Sequence, residues 1–428
     1  MKRLTVIAIC LAPIVAFAGP NWPNWRGPNG DGIVNEGNPP ITFSETENIK
    51  WKVAIPGESE STPVIWGDRI FIQTAVATAE EPDTGKRRRA SLPPTVPWQF
   101  KLLCLDKNTG ELIWERTAAE AIPHQGQHDH SSFSSFSPVT DGKLVWVSFG
   151  SQGLHCYDFD GNKRWEDELI EMEINMSFGE ASSPALIGDT IVVVADHEGD
   201  SKIFAFNKDT GELRWEKDRE EGSTWATPFG VDVNGKTQVI TSGIDAIRAY
   251  DLESGEVVWH ATGLTTAAIP TPIAGHGRVY CATGYQGYSM MAITLGGTGD
   301  LNNTDSIAWQ LDRGTPYVNS PLLYGDIIYA IEGVQPKLSA YRASNGEVLI
   351  DRERVAGMKM VYASPVGVAG RIYMADRHGT VVVFKHGETF EVLATNKLDE
   401  GFDASPVVVG DTLFLKGEKS LYCIEEGS

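Results

Sequence analysis

Along most of the chain, short runs in which apolar and polar residues alternate are broken by Gly-centred turns, after which the alternation resumes. A period of two predicts half-buried β-strands, and the short turns between runs predict hairpins. "SPALIGDTIVVVA", "SPLLYGDIIYAI", "SPVGVAGRIYMA" and "SPVVVGDTLFLK" each read as strand, turn, strand, and no helical period lies between such units. A second hairpin follows in "KLLCLDKNTGELIWER", "KIFAFNKDTGELRWEK" and "AIRAYDLESGEVVWHA". Its turn glycine tolerates positive φ, which a tight connection between strands needs.

The pattern repeats. Thr62-Pro63, Ser137-Pro138, Ser183-Pro184, Thr227-Pro228, Thr271-Pro272, Ser320-Pro321, Ser364-Pro365 and Ser405-Pro406 each open an apolar run, and after a first, longer interval they recur every 41–49 residues. Four residues past the turn glycine stands a tryptophan in the clearest copies: Trp114, Trp165, Trp215 and Trp259; elsewhere the register holds Trp309 or Ile350. Four short strands per repeat, eight times over, predict an all-β chain folded as an eight-bladed β-propeller of four-stranded antiparallel blades. A proline beside the first strand suits a strand start, where no ladder hydrogen bond is lost. A tryptophan on each outer hairpin can fill the wedge between blades.

The last copy, "DASPVVVGDTLFLKGEKSLYCIEEGS", supplies three strands and stops at a turn, while "NIKWKVAIPG", with Trp51, precedes the first Thr-Pro. The N-terminal strand is therefore expected to complete the last blade and close the ring, leaving no open edge. In this register Cys104, Cys156 and Cys423 take a third-strand position that other copies give to alanine. They read as small buried residues rather than a disulfide framework.

The opening residues carry Lys2 and Arg3, an apolar run and Ala16-Phe17-Ala18. That is the form of a secretory signal cleaved after Ala18, and it predicts a periplasmic or extracellular protein. The mid-run position of Cys10 does not suit a lipid anchor. Residues 1–18 are then a signal, 19–47 an extension rich in Pro, Gly and Asn, and 48–428 the propeller. The net charge of −21 disfavours nucleic acid as a partner, and no later run is apolar enough to span a bilayer.

Candidate chemistry gathers in two places. Residues shortly before each proline should converge at one end of the central channel: Glu60, Phe133, Ser134, Glu180, Trp225, Tyr317, Tyr362, Phe402 and Asp403. Aromatic and acidic groups together suit a peptide or a small ligand, although the same residues could simply plug the channel. The insertion near 76–100 carries Lys86, Arg87, Arg88 and Arg89, the one strong basic cluster. It reads either as a disordered loop or as a dock for an acidic partner surface. His124, His128, Asp129 and His130 share one loop whose spacing fits no specific metal site, so no metal is expected there. "DLNNTDSIAW" reads as a lengthened outer turn, lacking the Gly and terminal Glu of a calcium loop.

"CLDKNTGELIW", "AFNKDTGELRW" and "AYDLESGEVVW" resemble the tryptophan-docking repeat of exported PQQ-like, quinoprotein-type propellers, a family related to the BamB-like outer-membrane assembly propellers. In the enzymes of that family the resemblance implies a quinone between a Trp and a pair of adjacent, disulfide-linked cysteines. It also implies Ca²⁺ held by Glu, Asn and Asp, and an Asp base. This chain has no adjacent cysteines and no long insertions to wall in a cofactor. The expectation is a non-catalytic exported scaffold, monomeric or part of an envelope complex, with no catalytic residue, binding a protein or peptide at the rim. The alternatives are a PQQ- and calcium-dependent oxidoreductase, or a carbohydrate- or small-ligand-binding propeller.

Overall fold

The computed structural model describes residues 20–80, 86–87 and 89–428, with only the backbone at 86–87; the segment read as an export signal and Arg88 lie outside them. Eight sheets of four antiparallel strands, innermost to outermost in chain order, form the blades of a propeller. Blade 1 comprises Val64–Trp66, Arg69–Ala77, Trp98–Asp106 and Leu112–Ala121. In blade 8 the strands Val407–Val409, Thr412–Lys416 and Ser420–Ile424 are completed by Ile49–Ala54, with Trp51 opposite Cys423. The expected closure by the N-terminal strand is what the chain does.

The apolar pattern is consumed between blades. Trp114 Nε1–H donates to Phe159 O (2.9 Å), Trp165 to Lys208 O (3.0 Å), Trp215 to Leu252 O (2.8 Å) and Trp309 to Ala343 O (3.1 Å). Each acceptor lies in the following blade. The turn glycine of that blade lets the ring approach: a Cβ on Gly211 would stand 2.6 Å from Trp165, and one on Gly255 2.6 Å from Trp215. Both glycines also have φ above +70°, so side chains are excluded there twice over. Trp259 departs from the rule and donates to Gln238 Oε1 within its own blade. The neighbouring outer turn is the lengthened one, and its segment Gly299–Asp300 pairs in parallel with Trp259 and His260. Cys104, Cys156 and Cys423 are buried opposite Trp114, Trp165 and Trp51, where blade 3 places Ala205 opposite Trp215.

The Ser/Thr before each proline has a role that the repeat pattern did not disclose. Thr62 N–H donates to Ser137 Oγ (3.0 Å), Ser137 N–H to Ser183 Oγ (2.9 Å), and Thr227 N–H to Thr271 Oγ1 (3.1 Å). Onward, Thr271 donates to Ser320, Ser320 to Ser364, Ser364 to Ser405, and Ser405 back to Thr62. These seven buried bonds lace the inner strands into a hoop about the axis that lacks only a link from Ser183 to Thr227 among the described residues. Ser364→Ala would leave the buried Ser320 N–H without an acceptor, at a cost of about 1–3 kcal/mol. A urea titration should show that loss, whereas an exposed control such as Ser254→Ala should shift the midpoint by less than half as much.

Residues 20–47 are not a loose extension. Trp22 exchanges backbone hydrogen bonds with Ile65, Thr140 N–H donates to Pro23 O, and Ile33–Val34 pairs in parallel with Val366–Val368. All three partners are inner strands, so this strap fills the channel at the end where those strands finish. Arg26, almost fully buried, donates from its guanidinium to Pro365 O, Pro321 O and Asp31 O.

Candidate functional site

The opposite end of the channel is open. It is a cavity of about 770 Å³ floored by Trp25 of the strap, within the usual size range of ligand pockets. Its walls come from the loops between blades and from the loops joining second to third strands, which all emerge on this face because successive strands alternate in direction.

Of the sequence-predicted mouth residues, Glu60, Trp225, Tyr317, Tyr362 and Asp403 line this cavity. Phe133 packs edge-on against Trp98 at 4.9 Å and, with Glu180, lines a smaller neighbouring pocket. Glu180 accepts from Ser151 N–H (2.7 Å) and Oγ–H (2.6 Å), and burial raises its pKa to about 7. Phe402 is core rather than mouth: it is fully buried against Tyr422, with ring centroids 5.9 Å apart. Phe402 and Asp403 are adjacent in the loop before Ser405, yet one is core and the other lines the channel. Ser134 is also fully buried.

The rings at the mouth form an arc. Tyr285 stacks on Tyr317 at 5.0 Å, Tyr317 meets Tyr362 edge-on at 6.5 Å, and Tyr362 meets His130 at 5.9 Å. His130 meets His128 at 5.2 Å, and His128 meets Phe178 at 4.7 Å. Beside Phe178, Trp225 is held by its Nε1–H donating to Gly179 O at 2.8 Å. The His124–His130 loop is thus channel-facing, with His128 and His130 in the wall; His124 instead bonds Met172 O at 2.8 Å. Burial pushes the pKa of both His128 and His130 down, and the Arg377 charge adds to the effect at His130. Neutral rings are therefore favoured in the arc at pH 7.

An ionic group sits below the arc. Arg377 pairs with Asp403 at 2.6 Å and lies over Tyr362, 5.0 Å from the ring centroid. Burial raises Glu60 to about 7, with the nearby Asp403 charge adding to the shift, and burial lowers Lys416 to about 8. Burial likewise raises Asp403, against the pull of Arg377.

Three wall residues, Met176, Ala267 and Gln286, adopt left-handed backbone with φ of +55°, +63° and +49°. Each costs of order 1–3 kcal/mol, a strain that concentrates where geometry is imposed for binding. Neither repeat nor composition marks these positions, nor Tyr285, which lies in a loop between second and third strands.

Of the basic cluster, Lys86–Arg87 forms a two-residue strand with Ala90–Ser91, and Arg89 lines the cavity. The insertion folds back on the histidine loop: Ser91 N–H donates to Gln127 O, Asp129 N–H donates to Arg89 O, and Ala90 is buried. Residues 89–91 are thus part of the mouth.

Among the described residues no three His, Cys, Asp or Glu side chains converge as metal ligands. Glu60 and Asp403, which influence each other's charge, already face Lys416 and Arg377, and Cys104, Cys156, Cys281 and Cys423 are buried on their blades.

Comparison with known proteins agrees with the architecture. A BamB from Moraxella catarrhalis of known structure superposes with a TM-score of 0.60 at 14% identity, over 87% of this chain and 98% of that one. The quinohemoprotein alcohol dehydrogenase of Comamonas testosteroni superposes with a TM-score of 0.50 at 13% identity, over 94% of this chain and 80% of that one. In sequence, a polyvinylalcohol dehydrogenase from a Pseudomonas species is 22% identical over 290 residues, which is 58% of this chain and 41% of the dehydrogenase. This chain therefore spans less than half of that relative. The outer membrane protein assembly factor BamB of Burkholderia pseudomallei is 21% identical over 363 residues, 83% of this chain and 81% of the relative. The family described as outer membrane protein assembly factor BamB matches residues 99–227 and 222–428. With most of the propeller matched, the chain belongs to that family.

Proposed function

We propose that the protein is a non-catalytic exported scaffold that contacts an envelope protein through the mouth face of the propeller, in the assembly of outer membrane proteins. The observation that carries this reading is where the large exposed apolar side chains lie. Apart from those on outer strands, they are Leu92, Ile122, Met176, Tyr285, Tyr288 and Val334. All six belong to loops of the mouth face, whereas the other end of the channel is filled by the chain's own strap. Apart from the scattered residues of the outer strands, apolar exposure thus gathers on one face, and such a gathering marks an interaction surface. Family membership points the same way. Among the described residues no helix is long and apolar enough to cross a membrane.

A photo-crosslinker placed at Tyr288 or Val334 in the exporting cell should trap an envelope protein. The same group at Leu213 or Val257, exposed on outer strands, should not. Crosslinks arising only from the outer strands would overturn the assignment of the mouth face.

A further inference from the structure

We propose that the floored cavity is a carbohydrate site that takes the end of an oligosaccharide chain. This goes beyond the scaffold reading and does not depend on it. Three features of the wall converge on such a ligand.

The first is the arc Tyr285–Tyr317–Tyr362–His130–His128–Phe178, with Trp225 beside it. Rigid rings offer large contact area at small conformational cost, and the C–H faces of a pyranose ring match their flat surfaces. The second is the hydroxyl hoop. Thr62, Ser137, Ser183, Thr271, Ser364 and Ser405 line the cavity. Each oxygen accepts an N–H from the adjacent blade, and among the described residues none donates its own hydrogen to a protein acceptor. Six O–H donors thus surround the axis above the Trp25 floor, ready for an oxygen-rich ligand. The third is the set of Glu60, Glu198, Asn175 and Gln286 in the same wall. Carboxylates accept from sugar hydroxyls, and amides both donate and accept.

A peptide fits this wall less well. Every peptide unit brings an N–H and a C=O that need partners when buried. On three of the eight blades the inner-strand edge that could pair with them is taken by the strap, at Ile65, Thr140 and Gly367. The cavity above offers side chains rather than a strand edge. Sugar hydroxyls, being both donors and acceptors, can use hydroxyl, carboxylate and amide partners alike.

The test is calorimetric titration of the protein with neutral tetrasaccharides (cello-, chito-, malto- and xylotetraose), a tetra-alanine peptide and pyrroloquinoline quinone with Ca²⁺. Saturable 1:1 binding of at least one tetrasaccharide is expected. Trp225→Ala and, separately, Tyr285→Ala should weaken it at least tenfold. Tyr285 is exposed, so its replacement leaves the fold intact and keeps the test valid should Trp225→Ala misfold. No saccharide binding at 10-fold molar excess over millimolar protein would overturn the proposal. So would binding of only the peptide or only the quinone, or saccharide binding untouched by both substitutions.

Discussion

Arg219→Met should destabilise the propeller by about 3–5 kcal/mol, the usual cost of stranding one member of a buried ion pair. Neither side chain of the Arg219–Asp196 pair has any solvent access. The contact is bidentate, Nε to Oδ1 at 2.6 Å and Nη2 to Oδ2 at 2.9 Å. Arg219 Nη1 donates further to Thr241 Oγ1 and Tyr250 Oη in blade 4, and Thr224 Oγ1 donates to Asp196 Oδ2. With the guanidinium gone, the Asp196 charge would keep a single hydroxyl donor in a dry seam between blades 3 and 4. Removing both charges, as in R219M/D196L, should cost much less than R219M alone, because no uncompensated charge is left behind. Chemical denaturation of the two variants decides the matter. A single-variant loss below 1 kcal/mol, or a double variant no better than the single, would contradict this account.

The second large effect is expected at the strap. Arg26→Ala removes three donors to main-chain carbonyls and leaves Pro321 O and Pro365 O unpaired in the channel. Each stranded group costs about 1–3 kcal/mol, so a total of several kcal/mol is at stake. The guanidinium's pKa is lowered to about 10 by burial, and it remains charged at pH 7. Because the strap attaches to the inner strands at few points, the loss should appear as local opening rather than global unfolding. Hydrogen exchange is the direct readout. The Trp22 and Ile65 amides, which bond each other's carbonyls, should lose protection by at least tenfold, while amides in the outer strands keep theirs. Unchanged exchange at both amides would mean that Arg26 does not hold the strap.

The propeller, its eight-fold count and its closure were legible along the chain. They follow from signals local to each repeat: period-2 alternation, a Gly turn, a Trp four residues on, and a last copy of three strands whose fourth is found at the start of the propeller. The position of Trp51 opposite Cys423 could be anticipated because one register governs every copy. What the tertiary structure alone decided was the content of the channel. Arg26 meets Pro365 across 339 residues, and Arg89 from an insertion and Tyr285 from a loop between second and third strands reach the same cavity. The inward turn of Phe402 beside a channel-facing Asp403 lies in a loop, where no strand period dictates direction. The serines and threonines before the prolines could be counted in the sequence, yet their hoop exists only when eight blades meet at one axis. A local pattern specifies each blade, whereas a binding cavity is made by residues whose only relation is that the closed ring brings them together.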